Sequence, residues 1–372
     1  MRICYVLLSP TFGMHQYTAD LANRMALAGH QVSLVTTTRY PRDRYLPQVR
    51  VLTPVDTRDT GFSPAALRVS GARAAQAEIG MLLPDVVHLT GPHAWNISLV
   101  WLLRQANLPV VHTLHDLDPH TGTAYGGLLH LWNQAIIRQA NHLLVHGLRY
   151  RERLLDMGVP PVRVTHTPLL HLFLGQTWLG QLEGLADSIN YEPWALFFGR
   201  LEHYKGVDHL ITAAAMLDGL GGAGPRLVLA GPGSLQAHWA GALPPRIEVR
   251  NRLIGDDEAR ELFCRCGLVV LPYLDATQSA LIPAAYFFKK PVVVTWSGAL
   301  PEYVQEGRTG WLVEPDHPPS LARCLEAALA DPVRLAAMGA AGRAWYDRQR
   351  AVEIEVMERM YRSLVEEVPY GA

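Results

Sequence analysis

Short apolar runs alternate with helical hydrophobic patterns along nearly the whole chain. In the first half these runs predict strands over residues 3–8, 31–36, 86–89, 110–115, 143–146 and 162–166. In the second half they predict strands over residues 195–198, 226–230, 247–250, 268–271, 291–295 and 310–313. A clear helix is predicted over residues 15–28, closed by Gly29. Strands separated by helices are typical of parallel sheets with crossover helices, so we expect an α/β fold with two Rossmann-like, doubly wound domains.

The chain has 372 residues, which is too long for one compact core. Regular periodicity is lost between residues 172 and 193, where three glycines stand at Gly175, Gly180 and Gly184. This stretch is predicted to be a linker, which divides the chain into domains 1–175 and 176–345. In open parallel sheets, ligands bind at the carboxyl ends of the strands. We therefore expect the two domains to face each other across a cleft.

The last part of the chain, from about residue 331 to 368, has the pattern of one long helix. Its apolar positions include Trp345 and Tyr361. Because this stripe follows the second domain, we expect segment 346–372 to cross back and pack on the first domain, coupling the two.

Composition excludes several classes of protein. The formal net charge of −1 argues against bulk binding of nucleic acid, although residues up to Thr177 carry +5 and the remainder −6. The four cysteines show no disulfide framework and no zinc spacing, which favours a reducing cytosol. The apolar run at the N-terminus is too short for a signal peptide, and no stretch has the pattern of a membrane span. We expect a cytoplasmic protein.

The most informative local feature is Lys205, because the chain contains only three lysines and otherwise uses arginine. Lys205 follows Arg200 by five residues, and both come after a predicted buried strand and before a predicted helix. A guanidinium fork, a compact ammonium and free helix amides suit a diphosphate. The alternative is two solvated cations in an ordinary loop.

Polar loops follow two predicted strands of the first half. Residues 9–15 place Gly13 beside a helix start, where backbone amides can approach a phosphate or a sugar; the alternative is a plain turn. Residues 112–122 contain three histidines and two aspartates, among them His115. Such groups bind sugar hydroxyls or titrate near neutrality; structural hydrogen bonding and a metal site are the alternatives, although the spacing matches no standard zinc pattern.

Two loops of the second half are also candidates for ligand binding. Gly231 and Gly233 follow a strand and would let a ligand lie close to the backbone. Thr277, Gln278 and Ser279 stand at the junction of a strand and a helix, where amides and hydroxyls could hold an anion or a sugar. An ordinary helix N-cap is the alternative.

Taken in order, these segments resemble glycosyltransferase family 4, the retaining sugar transferases of the GT-B fold. The similarity spans nearly the whole chain. It rests on A-G-H-Q-V at 28–32, P-D-V-V-H at 84–88, F-G-R at 198–200, K-G at 205–206, A-G-P-G at 230–233, K-P-V-V at 290–293, L-P-E at 300–302 and G-R-T-G-W-L-V at 307–313.

The resemblance implies that the second domain binds a nucleoside-diphosphate sugar and the first domain an acceptor. Arg200 and Lys205 match the family's diphosphate clamp, which stabilises the leaving group without a metal or another cofactor. His115 matches a residue that reaches the transferred sugar or the acceptor, and Gly13 matches a loop that approaches the phosphates. The other expected donor-binding residues are Gly199, Gly231, Arg250, Ile254, Asp275, Thr277, Gln278, Ser279, Ala280 and Glu302.

One departure from the family pattern concerns its pair of glutamates, which contact the donor sugar and the ribose. Their positions are occupied by Ala276 and Ala284. Asp275 is a candidate substitute for the first, and Glu302 for the second. The form Thr277-Gln278-Ser279 resembles a variant branch of the family.

The leading hypothesis is therefore a retaining glycosyltransferase that moves a hexosyl unit to a lipid-linked, saccharide or small-molecule acceptor. The alternatives are a catalytically silent GT-B protein that binds a nucleotide or a partner, and a nucleotide-sugar epimerase. Residues 128–138 have apolar positions at helical spacing. They predict either a helix against its own sheet or a peripheral contact with the inner face of the membrane.

Overall fold

The structure is a computed structural model, and it describes residues 1–61, 70–117, 126–173, 189–219, 225–235, 239 and 241–367. The end of the polar run, 118–122, and most of the expected linker lie outside these residues. The chain divides into two compact units. The first comprises Met1–Gln176 together with Ala351–Ala372, and the second comprises Thr177–Arg350.

The described strands of the first unit form one parallel sheet of seven strands in the order β3-β2-β1-β4-β5-β6-β7. They are β1 Arg2–Leu7, β2 Gln31–Thr37, β3 Arg50–Val55, β4 Val86–Leu89, β5 Val110–Thr113, β6 His142–Val145 and β7 Val164–His166. The helices of this unit are α1 Phe12–Leu27, α2 Ser70–Leu82, α3 Asn96–Gln105, α4 Gly126–Gln139 and α5 Leu148–Asp156. The central strands are buried apolar runs, as expected for a sheet covered on both faces.

The edge strand β3 is absent from the strands that the sequence predicted. Among the described strands it pairs only with β2, with a register shift between Val35 and Thr37, and most of its residues are partly exposed. Pro54 lies within it and cannot donate to a ladder. Because β3 is paired on one edge only and its faces are partly exposed, it has no uninterrupted apolar run to reveal it.

The described strands of the second unit form a parallel sheet of six strands in the order β10-β9-β8-β11-β12-β13. They are β8 Trp194–Phe198, β9 Arg226–Ala230, β10 Ile247–Arg250, β11 Leu268–Leu271, β12 Val292–Thr295 and β13 Gly310–Val313. The helices are α6 Val207–Gly219, α7 Asp256–Arg265, α8 Leu281–Phe287 and α9 Pro318–Leu329. In this order β11 lies beside β8, although the two strands are far apart in the sequence.

The last helix, α10, runs over Pro332–Glu367 and contributes to both units. In the second unit, the Trp345 ring lies 5.5 Å from that of Tyr286. In the first unit, the Tyr361 hydroxyl is 3.1 Å from that of Tyr5, and Glu353 forms an ion pair with Arg24. The apolar stripe of this segment is therefore buried at both ends.

None of the described helices is long and apolar enough to cross a membrane. In α4, Trp132, Ile136 and Ile137 are buried, whereas Leu131 is 64 % exposed. The Trp132 ring packs on His112 of β5, at 5.4 Å between centroids. Much of the apolar stripe of α4 therefore faces its own unit, and a membrane contact stays a prediction.

Candidate active site

The turn after β8 carries both cations that the sequence singled out. Gly199 and Arg200 follow the strand, and Lys205 ends a short 3₁₀ turn, His203–Lys205. Gly206 then takes a left-handed conformation, with φ of 66°, directly before α6. A β-carbon at Gly206 would lie 1.9 Å from the carbonyl oxygen of Pro272, so the loop after β11 needs a glycine there.

The ammonium of Lys205 lies against the side chain of Tyr273. Nζ donates a hydrogen bond of 2.8 Å to the Tyr273 hydroxyl, and it is 4.2 Å from the centroid of that ring. Tyr273 is only 2 % exposed. Among the described residues, no carboxylate oxygen lies within 4.0 Å of Lys205 Nζ. The ammonium is held in place while its positive charge is not cancelled.

Arg200 has a corresponding arrangement with Tyr204. Its Nη2 donates 2.7 Å to the Tyr204 hydroxyl, and the residue is exposed. Here too, the described part of the chain places no carboxylate within 4.0 Å. Four other arginines of this unit differ, since each forms an ion pair with one or more glutamates: Arg226, Arg250, Arg252 and Arg265. Arg200 and Lys205 instead donate hydrogen bonds to phenol hydroxyls.

The glycine loop after β9 packs against the turn that carries the two cations. The Leu201 amide donates 2.9 Å to the carbonyl of Pro232, and Gly199 donates 2.9 Å to Ala230. Gly231 has a φ of 143°, and a β-carbon there would lie 2.1 Å from the Gly199 carbonyl oxygen. The glycine therefore permits this close approach.

Arg250 is the last residue of β10, and Ile254 follows it at the same end of the sheet. The carbonyl of Arg250 accepts the Gly231 amide at 3.1 Å. Its guanidinium is engaged by Glu248 at 2.7 Å and by Glu258 at 2.9 Å. Arg250 therefore shapes the glycine loop through its backbone, while its side chain belongs to an ion-pair cluster. Ile254 is half-buried.

The polar run after β11 lies next to the cation turn. The amide of Leu274 donates 2.9 Å to the carbonyl of Tyr204. Thr277 is buried, and its carbonyl accepts the Ala299 amide at 2.9 Å. Ser279 is also buried, and its hydroxyl accepts the amide of Leu281 at 3.3 Å. Asp275, Gln278 and Ala280 are half-buried in the same loop.

The two alanines at the family's glutamate positions are enclosed. Ala284 lies in α8 and is 0 % exposed, and Ala276 is 6 % exposed. Asp275 precedes Ala276 and is half-buried, whereas Glu302 is exposed on the 3₁₀ turn Leu300–Tyr303. The structure therefore leaves little space for a carboxylate at position 284.

In the first unit, His115 is buried at the end of β5. Its Nε2 lies 2.8 Å from the carbonyl of Thr90, to which it donates, so Nδ1 carries the lone pair. Burial lowers the pKa of His115 below its ordinary value, and the imidazole is neutral at pH 7. The ring makes an edge contact with Tyr17 of α1, at 5.0 Å between centroids.

Gly13 is the second residue of α1, the helix that also carries Tyr17. Apart from its chain neighbours and the backbone of its own helix, no described atom would lie within 4 Å of a β-carbon at Gly13. The first turn of α1 is thus open at this glycine, and Tyr17 joins the same helix to His115. Within the described residues, no group of three or more His, Cys, Asp or Glu side chains is arranged to hold a metal ion.

Comparison with known proteins decides the family. Residues 12–169 match the family model of the glycosyl transferase 4-like domain, and residues 192–331 match that of the glycosyl transferases group 1. The two matches follow each other along the chain in the two compact units. The chain belongs to the family 4-like glycosyltransferases of the GT-B fold. Both the fold and the family that the sequence predicted are confirmed.

Relatives of this glycosyltransferase include two D-inositol 3-phosphate glycosyltransferases. That of Catenulispora acidiphila is 28 % identical, covering 95 % of this chain and 91 % of its own. That of Gordonia bronchialis is 27 % identical, covering 88 % and 78 %. A GDP-mannose:glycolipid 4-beta-D-mannosyltransferase of Xanthomonas campestris is 25 % identical over 58 % of each chain. The chain is a nucleotide-sugar-dependent glycosyltransferase.

Solved structures show the same fold at lower identity. The sucrose-phosphate synthase of Thermosynechococcus elongatus superposes with a TM-score of 0.75 at 20 % identity, covering 99 % of this chain and 100 % of its own. Anabaena HepE in complex with UDP and glucose superposes with a TM-score of 0.71 at 16 % identity, covering 97 % and 99 %.

Two side chains of the glycosyltransferase were missed by sequence reasoning, Tyr204 and Tyr273. Tyr204 precedes Lys205 directly, and Tyr273 follows β11 by two residues. Each follows the carboxyl end of a strand, and this position could have indicated both residues from the sequence. The pairing of Tyr273 with Lys205 was not readable, because it depends on β8 and β11 being neighbours in the sheet.

Proposed function

We propose that this glycosyltransferase transfers a hexosyl unit from a nucleoside-diphosphate sugar, with retention of configuration, to a lipid-linked, saccharide or small-molecule acceptor. In the proposal Arg200 and Lys205 hold the diphosphate. The observation that carries it is that both cations are fixed by tyrosine hydroxyls and have no carboxylate partner in the described structure. A pair of preorganised, uncancelled positive charges five residues apart is suited to a diphosphate.

The chemistry follows from where charge develops during transfer. As the bond between the sugar's anomeric carbon and the diphosphate oxygen breaks, negative charge accumulates on the leaving nucleoside diphosphate. A guanidinium and an ammonium already in place stabilise that charge without reorganisation at the moment of reaction. No step of this proposal requires a metal ion or another cofactor.

The remaining residues have supporting parts in the proposal. Neutral His115 is assigned to a hydroxyl of the transferred sugar or of the acceptor. Gly13 leaves the start of α1 open to the phosphates. The other donor contacts are assigned to the loops of the second unit, through Gly199, Gly231, Arg250, Ile254, Asp275, Thr277, Gln278, Ser279, Ala280 and Glu302.

The names of the relatives suggest which substrates to try first. They point to GDP-mannose as a donor and to an inositol phosphate or a glycolipid as acceptors, and the UDP and glucose bound to HepE add UDP-sugars to the donors worth trying. A panel of UDP-, GDP- and ADP-sugars with these acceptors, with nucleoside diphosphate release as the readout, tests the activity. Product analysis by NMR then gives the configuration of the new bond.

The test of the site uses Arg200→Ala and Lys205→Ala. Each change is expected to lower kcat about a hundredfold, because one preorganised charge contact to the transition state is lost. Arg265→Ala is the matched control, since Arg265 lies on α7 and pairs with Glu192. Unchanged turnover in the double variant of Arg200 and Lys205 would overturn the proposal. So would failure of the parent protein to bind any of UDP, GDP and ADP.

A further inference from the structure

We infer that Tyr273 is a positioning residue that aims the ammonium of Lys205 at the β-phosphate of the donor. The inference rests on the proposed function, because it assumes that Lys205 binds the diphosphate. It assigns a part in the reaction to the buried phenol of Tyr273. This residue is not among the site residues predicted from the sequence.

The geometry around Tyr273 is that of a fixed support. Its hydroxyl accepts the hydrogen bond of 2.8 Å from Lys205 Nζ, and its ring lies 4.2 Å from the same atom. The side chain is 2 % exposed. Its backbone carbonyl accepts a hydrogen bond of 2.5 Å from the Thr295 hydroxyl at the end of β12. Its backbone is held by the end of β12 and its ring is buried, so the phenol has little freedom to follow the lysine.

Lysine needs such a support more than arginine does. Its ammonium is a strongly hydrated point charge on a flexible four-carbon chain, whereas a guanidinium is a planar, preorganised fork. The hydrogen bond to the phenol and the approach to the ring restrict the rotamers of Lys205 before any ligand arrives.

A phenol is also the right chemical partner for this task. The neutral oxygen accepts one N–H bond of the ammonium and leaves two for phosphate oxygens. A carboxylate in the same place would cancel the charge that the diphosphate has to meet. The pairing of Lys205 with Tyr273 therefore fixes the ammonium and keeps its full attraction for an anion.

Tyr204 completes the arrangement from the other side of the turn. Its hydroxyl accepts from Arg200 at 2.7 Å, and its carbonyl accepts the amide of Leu274, the residue that follows Tyr273. The two phenols are thus joined by a backbone hydrogen bond between their loops. This bond ties the position of Tyr273 to the turn that carries Lys205.

The experiment compares nucleoside diphosphates with monophosphates. Tyr273→Phe keeps the ring and removes the acceptor oxygen. Calorimetric titrations with UDP and UMP, GDP and GMP, and ADP and AMP are expected to show diphosphate affinity falling about tenfold, with monophosphate affinity unchanged. With the sugar donor, kcat is expected to fall more than KM rises, because the charge on the leaving group is largest in the transition state.

A double-mutant cycle separates positioning from a merely structural effect. Lys205→Ala combined with Tyr273→Phe is expected to behave as Lys205→Ala alone, because Tyr273 acts through the ammonium. Tyr286→Phe is the matched control. It removes a buried hydroxyl of the same unit, bonded to the Tyr303 carbonyl at 3.0 Å, without touching Lys205. Its ratio of diphosphate to monophosphate affinity is expected to equal that of the parent.

The outcomes distinguish failure of the positioning role from failure of the proposed function. Equal losses of monophosphate and diphosphate affinity in Tyr273→Phe, or effects that add in the cycle, would overturn the positioning role alone. If Lys205→Ala binds diphosphates as the parent does, the proposed clamp fails and the inference fails with it.

Discussion

The hydroxyl of Tyr361 lies 2.7 Å from Nδ1 of His88, in the interior of the first unit. Nε2 of His88 lies 2.8 Å from the Thr113 hydroxyl. The same Thr113 hydroxyl lies 3.2 Å from the hydroxyl of Tyr17. Tyr361 and His88 are both 0 % exposed. The last helix therefore supplies one end of a buried polar network that reaches the ring packed on His115.

Removing the Tyr361 hydroxyl tests this network. Tyr361→Phe leaves His88 Nδ1 and the hydroxyl of Tyr5 without that partner, so the free energy of unfolding is expected to fall by about 1–3 kcal/mol. Urea titration followed by circular dichroism measures the loss. Val352→Ala, at a position 48 % exposed on the same helix, is the control and is expected to change it by less than about 0.5 kcal/mol. Equal effects of the two changes would contradict the network's contribution.

Buried and half-buried histidines predict sensitivity to acid. Burial is the main cause that lowers the pKa of His15, His93, His142 and His166 to about 4, and that of His112 to about 3, from the ordinary 6.5. Below pH 6.5 the unfolded chain binds protons that the folded chain excludes. The stability from these groups is therefore complete above pH 6.5, and each group loses about 1.4 kcal/mol per pH unit as the pH falls towards 4.

The measurement is urea unfolding at pH 7.5, 6.5 and 5.5. The transition midpoint is expected to decrease steeply between the last two. His142→Gln removes one titrating group and is expected to give a shallower decrease. Curves that superimpose across this range would show that the histidines are solvated in the folded state.

Gly206 is expected to be intolerant of a side chain. Gly206→Ala strains a left-handed residue and drives a β-carbon into the Pro272 carbonyl. Gly307→Ala is the matched control, since its φ of 69° is similar and no described atom lies within 4 Å of its β-carbon position. The control is expected to lose about 1–2 kcal/mol. Gly206→Ala should lose clearly more and also weaken nucleoside diphosphate binding. Equal losses in thermal denaturation would contradict the close approach.

Restoring the family glutamate at position 284 is expected to fail. Ala284→Glu would place a carboxylate and two methylene groups at a fully buried site of α8. A cost of at least about 3 kcal/mol is expected from overpacking and desolvation. Ala215→Glu, at an exposed position of α6, is the control and is expected to be nearly neutral. A stable and more active Ala284→Glu variant would show that the site still has room for the missing ribose contact.

Much of the fold was predictable because its strands are buried on both faces and form uninterrupted apolar runs. The exceptions have local causes. β3 is an exposed edge with Pro54, so it has no such run. α1 begins at Phe12, whereas the pattern placed its start at His15, because Gly13 was interpreted as part of a turn.

From the sequence, only those parts of the site that lie close together along the chain were predictable. Arg200 and Lys205 share one turn, so their spacing shows in the sequence. Lys205 and Tyr273 are 68 residues apart and meet because β8 and β11 pair directly, which no local pattern encodes. The positions of Arg200, Lys205, His115 and the other assigned residues relative to substrates remain predictions that the experiments above address.

The first compact unit is assembled from two separate stretches of chain, since α10 crosses the boundary at Arg350 and Ala351. During synthesis on the ribosome, this unit therefore lacks Tyr361 and Glu353 until the whole second unit has been translated. A folding delay follows, because His88 has no Tyr361 hydroxyl to pair with until residue 361 has been translated. Nascent chains stalled before residue 351 would carry an N-terminal unit without its last helical segment, open to chaperones and proteases.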